Sequence, residues 1–163
     1  MRVSNSPGVG RLDTSIGPVE VSVNNDGAVV RVSFAEDDAM AGATNDDVCG
    51  AALRQLDEYF NDERHDFDLE LDPEGSEFEK LVWAELQQIP FGTTTTYGDI
   101  ARTLGDPGAS RAVGLANASN PIAIIIPCHR VIGADGDLTG YAGGLHRKRW
   151  LLAHEAGQQE LKF

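Results

Sequence analysis

The hydrophobic pattern of the chain changes its period near residue 73, and that change confines it to a fold of mixed elements. In "PVEVSVNNDGAVVRVSF" (18–34), apolar and polar residues alternate on either side of Asn-Asn-Asp-Gly. This predicts a hairpin with strands near 18–24 and 28–34. The acidic, small-residue stretch 35–45 reads as a loop. "DDVCGAALRQLDEYF" (46–60) spaces Val48, Ala52, Leu56, Tyr59 and Phe60 as one face of a helix. "FDLEL" (67–71) alternates again and is expected to be a third strand. These pieces form a small unit over residues 1–72.

From residue 73 the pattern is helical. Ser76 and Glu79 in "SEFEKLVWAEL" have capping-box spacing, with Phe78, Leu81, Val82 and Leu86 as the apolar face and Pro90 as the stop. "TYGDIARTLG" (96–105) predicts a short helix closed by Gly105. "DPG" is a turn, and "ASRAVGLANAS" (109–119) a further helix. Helix, turn and helix at this spacing suit either a helix-turn-helix or a plain helical hairpin. "IAIII" (122–126) reads as a buried strand or extended segment and 133–144 as a glycine-rich loop. "HRKRWLLAHEA" (146–156) is a closing helix with Leu151 and Leu152 turned inward. The expected fold class is therefore α+β, with a mainly helical second unit over 73–163.

Hydrophobic residues make up 41% of the 163, enough for a core, and no run is long enough to span a membrane. The N-terminus lacks the apolar run of a secretory signal, and two cysteines 79 positions apart suggest no disulfide framework. A cytoplasmic protein with reduced thiols is expected. The net charge of −13 argues against a nucleic-acid partner until its distribution is read. Residues 1–90 carry 6 basic against 20 acidic side chains, whereas 91–163 carry 7 against 6. Arginine outnumbers lysine, 10 to 3, and the acidic, lysine-poor composition is similar to that of proteins from salt-loving organisms. The acidic surface is expected on the first unit, away from the paired helices.

The chemistry is concentrated in "IAIIIPCHRVIG" (122–133). A thiol reacts as thiolate, so a reactive cysteine needs a neighbour that removes its proton and helps hold the charge. His129 adjoins Cys128, Pro127 restrains the backbone before it, and Glu155 on the closing helix is a candidate to orient the imidazole. Adjacent side chains rarely point the same way, so a bridging water is a second route for the proton. A buried small hydrophobe, or the nucleophile of a Cys-His hydrolase, also fits the pair. Cys49 and His65 are too few ligands for a metal in the first unit, so no metal is expected.

The stretch "SRAVGLANASNPIAIIIPCHRVIGADGDLTGYAGGLHRKRWLLAHE" (110–155), with "FGTTTTYGDIA" (91–101) before it, resembles the O6-alkylguanine-DNA alkyltransferases (methylated-DNA–protein-cysteine methyltransferases). "PCHRV" is that family's active-site motif, and its combination with "NP", "GYAGG" and "LLAHE" at these spacings is specific. The likeness covers about residues 76–156. The first unit matches as an architecture, an RNase H-like sheet and helix placed before the catalytic domain.

The resemblance implies direct, irreversible transfer of an alkyl group from O6 of guanine, and by extension O4 of thymine, to Cys128. It assigns the proton relay to His129 through a water, its carboxylate partner to Glu155, and donation to guanine N3 to Tyr97. It gives the Val131 carbonyl the base's amino group, Tyr141 and Ala142 the pocket loop, and groups Arg130 with the base-contacting residues. Some members carry serine where this chain has Ala142, which leaves only a backbone N–H to face O6. Arg111 matches the arginine that fills the stack when the base is flipped, and Asn120 the asparagine tying this helix to the active-site segment. The helix would enter the minor groove, with Ala112, Gly114, Ala116 and Ala118 permitting close approach. The implied partner is double-stranded DNA carrying O6-alkylguanine, met by a monomer without cofactor. The thiol is expected to be held as an anion at the floor of a cleft. A rival is a damage-binding module that flips the base without chemistry, against which Cys128 itself argues.

Overall fold

The computed structural model describes residues 8–35, 46–136, 138 and 140–157. The chain divides into two compact units. One holds the described residues up to Glu74 together with Pro121–Ile125; the other holds Gly75–Asn120 and the described residues from Ile126 onward. The expected loop over 36–45 lies outside the described residues.

The first unit is a three-stranded antiparallel sheet in the order β1 (Gly8–Thr14), β2 (Gly17–Val23), β3 (Val29–Phe34). Val19, Val21 and Val23 alternate inward along β2, as the period of two requires. The β2–β3 turn is built by Asn24, whose Oδ1 accepts from the amides of Asp26 and Ala28, and by Gly27 at φ +84°. Helix α1 (Asp46–Phe60) lays Cys49, Ala52, Leu56 and Tyr59 inward. Gly10 of β1 makes that packing close: a Cβ there would stand 2.8 Å from Leu53 Cδ1 and 3.0 Å from Cys49 Cβ.

One expected strand is corrected, and of the two readings of 122–126 the strand is the one not formed. Residues 67–71 form no strand; only Leu71 bridges to Val29, with Val29 N donating to Glu70 O and Asp72 N to Val29 O. The segment 122–126 bridges β3 once, at Ile122 to Val32, then turns through 123–125 with Ile124 at φ 72°. The outer edge of a six-residue strand is thus shared by two segments, and neither has room to extend. The third strand of the sheet is β1.

The second unit opens with α2 (Glu77–Leu86). Its capping box is formed: Ser76 Oγ accepts from Glu79 N at 3.1 Å, and Glu79 Oε1 from Ser76 N at 2.9 Å. The buried face is Val82, Trp83 and Leu86, whereas Leu81 is exposed. The helix stops at Leu86, ahead of Pro90. Trp83 turns the helix inward because its indole N–H reaches the Ala116 carbonyl at 2.8 Å. Strand β4 (Thr95–Thr96) leads into α3 (Tyr97–Thr103), capped by the Thr96 hydroxyl on Asp99 N. A short 3-10 turn over Pro107–Ala109 precedes α4 (Ser110–Ala118), completing the helix-turn-helix layout. Strand β5 (Val131–Ile132) pairs parallel with β4, and α5 (Leu145–Ala156) closes the unit. Leu151 of α5 is fully buried and Leu152 half-buried. The expected α+β arrangement, sheet and helix first and helices after, is the one observed. Among the described residues no helix is long and apolar enough to cross a membrane.

Candidate active site

Cys128, His129 and Arg130 form a single 3-10 turn between Pro127 and β5. Cys128 N donates to Ile126 O at 2.7 Å and Arg130 N to Pro127 O at 3.0 Å. Three residues per turn spread these side chains in three directions, so sulfur and imidazole do not share one face. All three are buried: Cys128 and Arg130 keep 6% of their exposure and His129 none.

Helix α5 packs against this turn and delivers Glu155 to it. Glu155 Oε2 stands 2.7 Å from His129 Nε2 and accepts from Arg130 Nη2 at 3.0 Å. Its Oε1 accepts from Arg130 Nε at 2.7 Å and, at 3.5 Å, from the amide of Gly92. Gly92 has φ +83°, and a Cβ there would meet the Glu155 backbone carbonyl at 3.2 Å. Arg130 also donates from Nη1 to the Ile89 carbonyl at 2.6 Å. Its placement among base-contacting residues is therefore corrected. Nε and both terminal nitrogens bond within the unit, and the buried guanidinium anchors Glu155.

The protonation states follow from these bonds. Burial alone would push the Glu155 carboxyl up, but the bonds and charges of His129 and Arg130 outweigh it and hold it well below the usual carboxylate range. Burial draws His129 below its ordinary 6.5, against the pull of Glu155. The imidazole is therefore neutral, with its proton on Nε2 facing the carboxylate. Nδ1 is left as the basic nitrogen, buried and without a hydrogen-bond partner. A buried unpaired polar atom costs about 1–3 kcal/mol, which asks for a reason outside stability.

The thiol is neutral too, and the expected resting anion is corrected. Burial pushes Cys128 above its ordinary value; the Asn120 amide and the charge of Lys148 pull the other way without cancelling it. Asn120, just past α4, also donates to the Ile126 carbonyl at 2.8 Å, joining the helix end to the segment that carries the sulfur. One turn earlier, Asn117 Nδ2 lies 3.4 Å from the Cys128 carbonyl. Lys148 is fully buried on the stripe of α5 that holds Leu151 and Glu155; burial draws its ammonium below its ordinary value, against the pull that a thiolate at Cys128 would exert. Burial, and then the charge Cys128 carries once ionised, raise the Tyr141 phenol well above its ordinary value, so it stays protonated.

The structure thus gathers Cys128, His129, Glu155, Asn120 and Tyr141 in one cluster. Lys148 and Asn117 join it unforeseen: Lys148 sits in the basic run "HRKRW", and Asn117 in the small-residue helix "SRAVGLANA". Periodicity carried the signal, since Lys148, Leu151 and Glu155 fall at i, i+3 and i+7, and Asn117 lies three residues before Asn120. Val131 begins β5 directly after the turn and is fully buried. Tyr97 opens α3 with its ring over Gly114 of α4. Arg111 and Ala142 are exposed. Of the small residues expected to face outward on α4, Ala112 and Ala118 do, whereas Ala116 is buried. A surface cleft of about 200 Å³, lined by Glu85, Pro90, Thr93, Asp99 and Thr103 among others, shares no residue with the cluster.

Residues 77–157 match the family model of the 6-O-methylguanine DNA methyltransferase DNA binding domain, and residues 10–73 that of its ribonuclease-like domain. The chain is 62% identical over 104 residues to the methylated-DNA–protein-cysteine methyltransferase of Mycolicibacterium paratuberculosis, a match spanning 64% of this chain and 63% of that relative. It is 60% identical over 111 residues to the protein of that name from Methanosarcina acetivorans, spanning 68% and 71%. Its fold is similar to the crystal structure of Mycobacterium tuberculosis OGT in complex with DNA, with TM-score 0.83 and 46% identity over 91% and 92% of the two chains. It is also similar to the O6-methylguanine DNA methyltransferase of Methanococcus jannaschii, with TM-score 0.67 and 28% identity over 90% and 92%.

Proposed function

We propose a function from one premise: this chain belongs to the 6-O-methylguanine DNA methyltransferase family. The protein repairs duplex DNA by moving the alkyl group of O6-alkylguanine onto Cys128, once per molecule. The observation that carries this reading is the order Arg130–Glu155–His129. Arg130 keeps Glu155 ionised, Glu155 keeps the His129 proton on Nε2, and Nδ1 is thereby free to accept one.

The damaged base leaves the stack, at an unstacking cost of a few kcal/mol, and Arg111 fills the gap. The thiol proton passes through a water to Nδ1 of His129. The imidazolium so formed is stabilised by Glu155 at 2.7 Å. Lys148 and the Asn120 amide hold the charge that appears on sulfur. The sulfur pair then forms the S–C bond as the C–O6 bond breaks, and the electrons of that bond return to the guanine. Tyr97 eases their departure by donating to N3, while the Val131 carbonyl, Tyr141 and the Ala142 amide orient the base. The thioether offers no step that regenerates the thiol, so the protein is spent. The same displacement serves O4 of thymine. The protein works as a monomer in the cytoplasm without metal or cofactor, and its two free buried cysteines fit a reducing compartment.

The test is incubation with a duplex bearing one O6-methylguanine, followed by intact-mass measurement and mapping of the modified peptide. One methyl on the Cys128 peptide, in stoichiometric yield and without turnover, is expected. Binding with no mass gain would make the protein a damage-binding module instead. Repeated turnover of a thioester or amide would make it a hydrolase. A second duplex carrying O4-methylthymine tests the thymine reaction in the same way.

A further inference from the structure

The outer face of α4 has an unusual make-up for a chain this acidic. Arg111, Ala112, Leu115, Ala118 and Ser119 are exposed, while Val113, Ala116 and Asn117 turn inward. Leu115 stands at the centre of that face, 67% exposed, with Arg111 the one charged residue within a turn of it on the helix. Acid has been cleared from the whole region: no Asp or Glu occurs from Pro107 to Ala134, although the chain holds 26 in 163 residues. A stretch of that length would ordinarily carry several. Yet the cleared positions are not filled with cations, since Arg111 is the one charge on α4.

A polyanion is held in two ways. Cations release its condensed counterions, and that share of affinity falls steeply with salt, by a slope of roughly 0.9 per phosphate neutralised. Close apolar contact with sugar and base edges in the minor groove releases none, and apolar side chains such as leucine are the ones found wedged there. On α4 only Arg111 offers the first. Leu115, flanked by Ala112 and Ala118 one turn to either side, offers the second, and the small flanking residues let the helix backbone come close.

We propose that Leu115 is an apolar minor-groove contact through which α4 holds DNA in a manner largely independent of salt. The proposal rests on the DNA-repair reading above and adds to it the type of contact and its salt response. The cleared acid and the missing cations are then one adaptation. Repulsion from phosphate is removed, and attraction that concentrated salt would abolish is not put in its place.

The test is equilibrium binding of a duplex bearing one O6-methylguanine by fluorescence anisotropy from 0.1 to about 2 M KCl, a range over which each phosphate contact matters. Leu115→Ala is expected to weaken binding about tenfold at every salt concentration, with the slope of log K against log salt unchanged. Leu115→Lys is expected to tighten binding at low salt and steepen that slope by about 0.9, losing the advantage as salt rises. Leu81→Ala, at an exposed leucine of α2, is the control and should bind as the unaltered protein does. Wild-type affinities for both Leu115 variants, beside normal methyl transfer to Cys128, would overturn the proposal and leave the repair function standing. An unaltered protein that binds no duplex at any salt would overturn both.

Discussion

Replacing Glu155 with Gln keeps shape and volume and removes one charge, and its consequence follows from four donors. Oε2 receives the His129 Nε2 proton at 2.7 Å and Arg130 Nη2 at 3.0 Å; Oε1 receives Arg130 Nε at 2.7 Å and the Gly92 amide at 3.5 Å. A glutamine has one oxygen and one NH2, so in either orientation a donor faces a donor. Either way the buried guanidinium loses its anion, at about 3–5 kcal/mol, whichever of Arg130 Nε and His129 meets the NH2. If it meets His129, the imidazole shifts its proton to Nδ1 to accept from it, and the base for the thiol proton is gone. General-base assistance is worth roughly 10²–10⁴ in rate, so single-turnover methyl transfer at saturating duplex should slow by at least about 10²-fold. The urea midpoint should fall as well, and with about 5–15 kcal/mol typical for a domain the variant still folds. Both are measured on the same preparation, by quenched-flow transfer and by fluorescence. Transfer within about threefold of the unaltered rate would refute the reasoning, since a general base contributes far more than that. Glu155 would then only anchor Arg130, and the proton would take another path.

Lys148→Met removes the buried charge facing sulfur while keeping the aliphatic volume. Alkylation of Cys128 by iodoacetamide, mapped by mass, should shift to higher pH, and Lys148→Arg should recover most of the shift. An unchanged pH profile would remove Lys148 from the chemistry. Stability should fall with acid in two stages. His129 is held below its ordinary 6.5, so the unfolded chain takes up that proton first and stability drops as pH falls under 6.5. Glu155 is depressed from 4.5, so its contribution is complete above 4.5 and is lost as pH falls below it. A urea midpoint flat from pH 7 down to about 5 would contradict a neutral buried imidazole. Trp83→Phe strands the Ala116 carbonyl now bonded at 2.8 Å and should cost about 1–3 kcal/mol in urea unfolding, with methyl transfer intact. A loss of transfer without a loss of stability would contradict it.

What was legible in the sequence is what local chemistry decides. The Ser76–Glu79 capping box, the Asn24–Gly27 turn and the α1 face at 52, 56 and 59 depend on residues within one or two turns of each other, and the structure forms all three. Strand β1 was not legible, because "GVGRLDT" opens on two glycines and shows little alternation. It is a strand because β2 offers an edge and α1 needs Gly10 bare beneath it. Conversely "FDLEL" alternates well and forms one bridge, because alternation describes a face and not a partner. At the site, "PCHRV" marked the nucleophile and its neighbour. The motif did not reveal that Arg130 turns inward to Glu155, 25 positions away, or that a lysine in a basic run is fully buried. Both depend on which side of α5 meets the 3-10 turn, a tertiary fact.

The burial that keeps both Cys128 and His129 neutral looks at first like an obstacle to catalysis, yet it suits the single-use transfer we propose. A standing thiolate would react with any soft electrophile that reached it, and each such event would consume a molecule. Here the neutral thiol, 6% exposed, is a poor nucleophile, while the groups the proposed reaction would use to ionise it lie in the same cluster: Nδ1 as base through a water, Glu155 for the imidazolium, Lys148 and Asn120 for the sulfur. The orphaned Nδ1 is part of that arrangement. Satisfying it with a fixed donor would gain stability, but the lone pair that must receive the thiol proton would be occupied. On this reading the site gives up stability at one nitrogen so that the sulfur becomes reactive only when a substrate holds the alkyl carbon in line. Specificity then lies as much in when the proton moves as in what the pocket binds.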